Sequence, residues 1–208
     1  ASAAAPDVAA PHLPSECRVV LILGATGAGK SRLLAALASQ AGMTPPPPPR
    51  WARDEAVVSQ FGDDPAAALR WLTAVGLNSV PLWCQPYHAL STGEACRAAL
   101  ARRLQTAHAR GTPLVVDDLC QHVDTLAAAC CAAALARHLR SEAGCTTRAL
   151  LASSHASIAG WLQPDLVIFC EAGRPPRLVR NSAAGARPAP THLTSSPRPP
   201  CCARAAAR

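Results

Sequence analysis

The sequence predicts an α/β fold in which helices cover both faces of a mostly parallel sheet. Three observations predict it. Short apolar runs rich in β-branched residues alternate along the chain with segments of helical apolar spacing. The first such run passes through a glycine-rich turn straight into a helical pattern. The chain has 208 residues, 50% of them hydrophobic, which suits one core of this kind plus a tail.

The elements follow in order. Residues 1–16 are rich in Ala and Pro and predict an irregular lead-in. Residues 18–23 (RVVLIL) read as a buried strand, residues 24–30 as a Gly-rich turn, and residues 31–40 as a helix stopped at Gly42. Residues 45–49 are five prolines and predict a rigid extended link. Residues 56–58 predict a short strand. Asp64 as cap and Pro65 in the first turn open a helix that ends before Gly76. Residues 78–87 read as loop. Ser91 and Glu94 form the S-x-x-E pattern that starts a helix running to about residue 109. Residues 114–116 predict a strand ending at Asp117 and Asp118. An Ala-rich helix follows from Asp124 to about residue 141, closed near Gly144. A strand at 149–152, a short helix at 157–162 and a strand at 166–170 complete the body. The predicted organisation is a lead-in at 1–16, one domain at 17–171 and a disordered Pro/Arg/Ala-rich tail at 172–208.

The formal net charge of +7 is unevenly placed. Up to Glu171 thirteen basic side chains balance thirteen acidic ones, so the whole excess belongs to isolated arginines of the tail. A solvated tail is predicted, and a nucleic-acid partner is not. No apolar run approaches the roughly 18 residues of a spanning helix, and no charged-then-apolar leader follows Ala1. The ten cysteines are scattered at 17, 84, 96, 120, 130, 131, 145, 170, 201 and 202, with no C-x-x-C pair. They predict free thiols in a reducing, cytoplasmic compartment.

The chemistry is carried first by Gly24, Ala25, Thr26, Gly27, Ala28, Gly29, Lys30 and Ser31, which match G-x-x-x-x-G-K-[ST] in full. By composition, such a match arises about once in a thousand chains of this kind. The glycines let successive N–H groups turn toward phosphate oxygens, and the helix that follows adds its positive end. Lys30 is the one lysine of the chain, placed where a compact ammonium is needed to bridge two phosphates. Ser31 supplies a hydroxyl for Mg²⁺. The apolar strand ending in Asp117 and Asp118 suits a second Mg²⁺ ligand, Asp117, followed by an acid able to polarise water. These residues predict a P-loop protein that binds a nucleoside triphosphate with Mg²⁺.

Further along, Leu90, Ser91, Thr92, Gly93 and Glu94, with Arg97 and Arg102 behind them, resemble the L-S-G-G-[QE] signature of ABC-type ATPases. Asp124, seven residues after Asp117, falls where that family has its D-loop aspartate. His155 falls at its switch histidine, and Gln60 resembles its Q-loop glutamine. The six elements keep family order over residues 18–170. Each also has a plainer reading: Ser91 and Glu94 as a helix cap, Asp124 as another cap, His155 as a polar strand end.

The resemblance implies a head-to-tail homodimer with ATP between one P-loop and the partner's signature helix. Lys30, Ser31 and Asp117 would then bind MgATP, and Ser91, Thr92, Gly93 and Glu94 would meet it in trans. Asp118 would activate water, His155 would contact the γ-phosphate, and Gln60 would sense Mg²⁺ and water. Four departures qualify this. Thr92 replaces the second signature glycine. Asp118 replaces the usual catalytic Glu and is shorter by one methylene. The strands and adenine-stacking aromatic that the family places before its P-loop have no counterpart, His12 being a poor substitute. The segment between P-loop and signature is short, which points away from a transporter subunit. Residues 78–81 (NSVP) and 161–165 (WLQPD) are similar to soluble ABC-type ATPases that are sometimes joined to acetyltransferase-like domains. A slow Mg²⁺-dependent ATPase is the leading expectation. A hydrolysis-deficient nucleotide-binding regulator and a P-loop small-molecule kinase are the alternatives.

Overall fold

The computed structural model describes residues 11–42, 47–141 and 147–181. The first strand, β1 (Val19–Leu23), is buried along its whole length. It leads through the glycine-rich turn into α1 (Lys30–Gln40). After the proline stretch come a 3₁₀ turn (Val58–Phe61), α2 (Pro65–Ala74) and a one-turn helix α3 (Val80–Trp83). A second 3₁₀ turn (Tyr87–Ala89) precedes α4 (Thr92–Arg110). Then follow β2 (Leu114–Val116), α5 (Thr125–Arg140), β3 (Ala149–Ser153), α6 (Ile158–Leu162), β4 (Leu166–Phe169) and β5 (Arg177–Arg180).

The sheet has the order β2-β3-β1-β4-β5. Its first four strands are parallel, and β5 closes the edge antiparallel to β4. Alternation along β1 divides the core. Val19, Leu21 and Leu23 face α2, α4, α5 and α6, and Val20 and Ile22 face α1. Both faces are therefore covered, which is why β1, and β3 as far as Ala152, read as unbroken apolar runs.

The caps are those the sequence predicts. Asp64 accepts from the N–H groups of Ala66 and Ala67 at the start of α2. Asp124 does the same for Leu126 and Ala127 at the start of α5. Gly76 follows α2 at φ 74° and lies against the Cys130 carbonyl of α5. Left-handed backbone and close approach both require glycine there.

Three expectations change. Residues 56–58 form no strand: Ala56 makes a single bridge to Pro86, and the chain turns into the first 3₁₀ segment. The bridge fails to extend because Pro86 has no N–H to donate. The loop predicted at 78–87 contains α3, held by the Trp83 indole N–H donating to the Leu77 carbonyl at 2.7 Å. Residues 177–180, placed in the predicted tail, form β5, which pairs with β4 over four residues. Arg177 lies 5.0 Å over the Phe169 ring, and Arg180 pairs with Glu16 at 2.8 Å. All four β5 residues are exposed, so they lack the alternating burial by which a strand is read. Predictions for residues 1–10, 45–46, 142–146 and 182–208, including the helix stop at Gly144, fall outside the described residues.

Candidate nucleotide site

Parallel pairing aligns the carboxyl ends of β1, β3 and β2. Leu23 pairs with Ser153, and Val116 pairs with Leu151. With about 4.8 Å between neighbouring strands, the P-loop leaving β1 and Asp117 leaving β2 start about 10 Å apart. The end of β3 lies between them and leads to His155. Three of the sequence-predicted groups thus share one rim of the sheet, where ligands of open α/β sheets bind.

The P-loop is shaped as its glycines require. Gly27 has φ 81° and Gly29 φ 95°, both left-handed. Gly24 is needed for another reason: a Cβ there would collide with the Cys170 carbonyl where β4 ends. Gly29 caps α1 without a side-chain acceptor, and the first turn contains no acid. A helix start of this kind suits an anion. Lys30 is 6% exposed, and its Nζ donates to the Ala25 carbonyl at 3.0 Å, across the mouth of the loop. Ala25, Thr26 and Ala28 join Gly24, Gly27, Phe169 and Cys170 in lining a hollow of about 450 Å³. Ser31, in the first turn of α1, is exposed.

Asp117 and Asp118 are both exposed. Asp118 has φ 52° and donates its N–H to Asp117 Oδ1 at 3.0 Å. Left-handed backbone is tolerated by Asp and Asn better than by most residues, so this turn suits the short acid. Among the described residues no cluster of His, Cys, Asp and Glu could cage a metal by itself. Ser31 and Asp117 fit the sparser kind of Mg²⁺ site, which is completed by water and phosphate.

Sequence reasoning missed Ser153. It is fully buried at the end of β3; its hydroxyl donates to the Leu119 carbonyl at 3.0 Å and accepts from the His155 N–H at 3.2 Å. One hydroxyl therefore ties the turn after Asp118 to the residue bearing the exposed His155 side chain. The signal was a serine closing a strand that is otherwise wholly apolar.

At the start of α4 the reciprocal cap is formed. Ser91 Oγ accepts from the Glu94 N–H at 3.4 Å, and Glu94 Oε2 accepts from the Ser91 N–H at 2.9 Å. These bonds to Ser91 hold the Glu94 carboxyl below its ordinary pKa. The first intrahelical bond runs from Ala95 N–H to the Ser91 carbonyl, so Thr92 and Gly93 present their N–H groups ahead of it. Gly93 lies against the His122 carbonyl, which brings the signature segment beside the loop leading to Asp124. Arg97 reinforces the corner by donating to the carbonyls of Gly93 at 3.3 Å and Gly76 at 3.0 Å.

Gln60 is placed differently from the expected sensor. Its Oε1 accepts from Ala52 N–H at 2.7 Å, and its Nε2 donates to the carbonyls of Ala52 and Glu55 at 3.3 and 3.2 Å. The amide closes its own loop.

Comparison with solved structures supplies the fold's name. The dimeric, post-hydrolysis state of the ATP-binding cassette MJ0796, bound to ADP and Pi, matches with TM-score 0.60 at 16% identity, over 82% of this chain and 88% of that one. The chain has the fold of an ATP-binding cassette. A second dimeric structure of MJ0796, described as a bacterial ABC transporter cassette, gives TM-score 0.52 at 18% identity, over 81% and 88% of the two chains. A bacterial Atm1-family ABC exporter with ATP bound gives 0.56 at 16% identity; 79% of this chain is covered but only 34% of the exporter. No family profile matches the sequence, and no curated protein matches it. Among the described residues no helix of this cassette fold is long and apolar enough to cross a membrane.

Proposed function

We propose that the chain binds MgATP at residues 24–31 and hydrolyses it slowly at a head-to-tail interface between two copies. The observation that carries this is the P-loop itself: left-handed Gly27 and Gly29, an α1 start without an acid, and a nearly buried Lys30 whose ammonium spans the loop mouth. A polyphosphate oxygen would replace the Ala25 carbonyl as acceptor for Lys30. Ser31 and Asp117 would hold Mg²⁺, which on binding neutralises phosphate charge and orients the γ-phosphate. Asp118 follows at the same strand end and would orient or deprotonate the attacking water. His155 would donate to the γ-phosphate. Ser91 and the N–H groups of Thr92 and Gly93 form a second anion-binding helix start, whose natural ligand is a γ-phosphate held by the other copy.

One observation favours a second reading, a nucleotide-binding regulator that does not turn over. The Gln60 amide is engaged in its own loop, so a water sensor needs that loop to open.

The test is a titration of a fluorescent ATP analogue together with steady-state phosphate release. Lys30→Ala should weaken binding at least about tenfold, as expected for losing a charge-assisted phosphate contact. Asp118→Asn suits the left-handed turn and removes only the carboxylate. It should keep ATP affinity and lower phosphate release by about a hundredfold. Equal affinity in Lys30→Ala would overturn the nucleotide site. Binding without release in the parent protein would select the regulator.

A further inference from the structure

A second hollow, of about 240 Å³, opens on the α4 side of the Asp117–Asp118 turn. Its lining includes three thiols from three separate elements: Cys96 of α4, Cys120 of the loop after β2, and Cys131 of α5. All three are free. Cys120 and Cys131 are 8% and 0% exposed, so the hollow is the route by which a small molecule reaches them. Arg97, already fixed to Gly93 and Gly76, lines the same space.

We propose that Cys120 is a peroxide-reactive thiol and Cys131 its resolving partner, forming a disulfide that ties the loop after Asp118 to helix α5. The local chemistry suits each role. Cys131, which lines the same hollow, and the Arg97 guanidinium both lower the Cys120 thiol's pKa, against the cost of burial. The neighbouring Cys120 and burial push the Cys131 thiol up, which keeps it protonated. A thiolate is the nucleophile toward peroxide, and a neighbouring thiol completes the reaction. The Cys120 thiolate attacks one oxygen of hydrogen peroxide; the O–O bond breaks, hydroxide leaves, and Cys120 becomes a sulfenic acid. Cys131 sulfur then attacks the Cys120 sulfur, the S–O bond breaks, and the oxygen leaves as water once Cys131 has given up its proton. Two thiols are oxidised by two electrons, and one peroxide is reduced to two waters.

The link has a consequence for the rim of the sheet. Cys120 has φ 62° and lies two residues after Asp118, which is also left-handed. The same loop carries His122, against which Gly93 packs. Tying this loop to α5 restrains the path from Asp118 to the signature segment and Asp124. This consequence rests on the proposed ATPase; the thiol chemistry does not.

The test uses the full chain, reduced, freed of reductant, treated with hydrogen peroxide, and then alkylated. Cleavage before aspartates separates Cys120, in fragment 118–123, from Cys130, Cys131 and Cys145, in fragment 124–164, and mass spectrometry without reductant reads the link. The parent and Cys130→Ser should show the Cys120 fragment joined to the α5 fragment, released by dithiothreitol. Cys131→Ser should instead leave Cys120 as a sulfenic acid captured by a diketone probe. Recovery of alkylated Cys120 and Cys131 from the treated parent would overturn the proposal, as would a Cys120–Cys96 link or a link surviving in Cys131→Ser. Phosphate release by the linked parent should fall about tenfold with ATP binding retained and recover on reduction. Unchanged release would overturn the restraint on the site. A link in a chain that releases no phosphate even when reduced would support the thiol pair and overturn the ATPase reading.

Discussion

Asp165 fixes the start of the strand that delivers the P-loop. Its Oδ2 accepts from the N–H groups of Arg18 and Val19, each at 2.8 Å, and its own N–H donates to the Val19 carbonyl at 2.9 Å. A carboxylate bound to two backbone donors is worth more than a neutral pair. Asp165→Ala should therefore lower unfolding free energy by about 2–3 kcal/mol, read by urea denaturation, with ATP affinity little changed in the folded fraction. His138 gives a prediction in pH. It is 9% exposed on α5, with its ring 5.5 Å from Trp71. Burial lowers its pKa, and the nearby Arg70 and His108 act the same way. The unfolded chain therefore takes up a proton at a pH where the folded chain stays neutral at this residue. Its contribution is complete above the unfolded pKa of about 6.5 and declines as pH falls from there to the lowered folded value. Denaturation curves at pH 5.5 and 7.5 should show the parent less stable at the lower pH, and His138→Gln should reduce the difference.

Among the elements, β5 carries the least expected role. It is exposed on every residue, yet it covers the edge of β4 and brings Arg177 over Phe169 and Arg180 to Glu16. The Arg180–Glu16 pair is exposed and adds little by itself. The strand pairing and the shielding of Val167 and Phe169 matter more. Truncation after Glu171 should lower the thermal midpoint by about 5 °C, equivalent to one or two kcal/mol in a domain of this size. Truncation after Asn181 keeps β5 and should leave the midpoint within about 1 °C. Differential scanning calorimetry of the two shortened chains reads the contrast; equal midpoints would deny β5 a structural role. Helix α6 is held at the other end of this region by Arg140, which donates to the carbonyls of Leu162 and Gln163. The segment 161–165 thus shapes the return to the sheet. Gln163 turns left-handed at φ 49°, and Asp165 then reaches β1.

At the scale of the whole molecule, the signature start and the P-loop belong to different parts of the structure, and the proposed reaction joins them through a second copy. Leu126 is 75% exposed in the first turn of α5, just after Asp124. Burying it against a partner would add favourable area beside the D-loop. Sedimentation of Asp118→Asn should show a monomer without nucleotide and a dimer under saturating MgATP. Gly93→Trp, placed where the partner's γ-phosphate would approach, should stay monomeric while still binding ATP. A monomer in both proteins would remove the interface from the mechanism.

Local chemistry accounts for what was legible in the amino-acid order. Apolar runs such as residues 19–23, alternating with helical segments, point to a parallel sheet covered on both faces, where such runs are buried on both sides. Gly27 and Gly29 specify the turn that leads into α1, because left-handed backbone allows few substitutes. Asp64, Ser91 and Asp124 specify helix starts, because their oxygens satisfy N–H groups two or three residues away. The rest depends on contacts between distant residues. Ser153 joins Leu119 to His155, Asp165 holds Val19, and Cys120 and Cys131 come to line one hollow only after β2 and α5 have packed. The Gln60 amide could have faced the site or its own loop, and packing of residues 52–55 decided for the loop. Strand β5 exists because β4 offered an open edge, a property of the assembled sheet that exposed residues 177–180 do not announce.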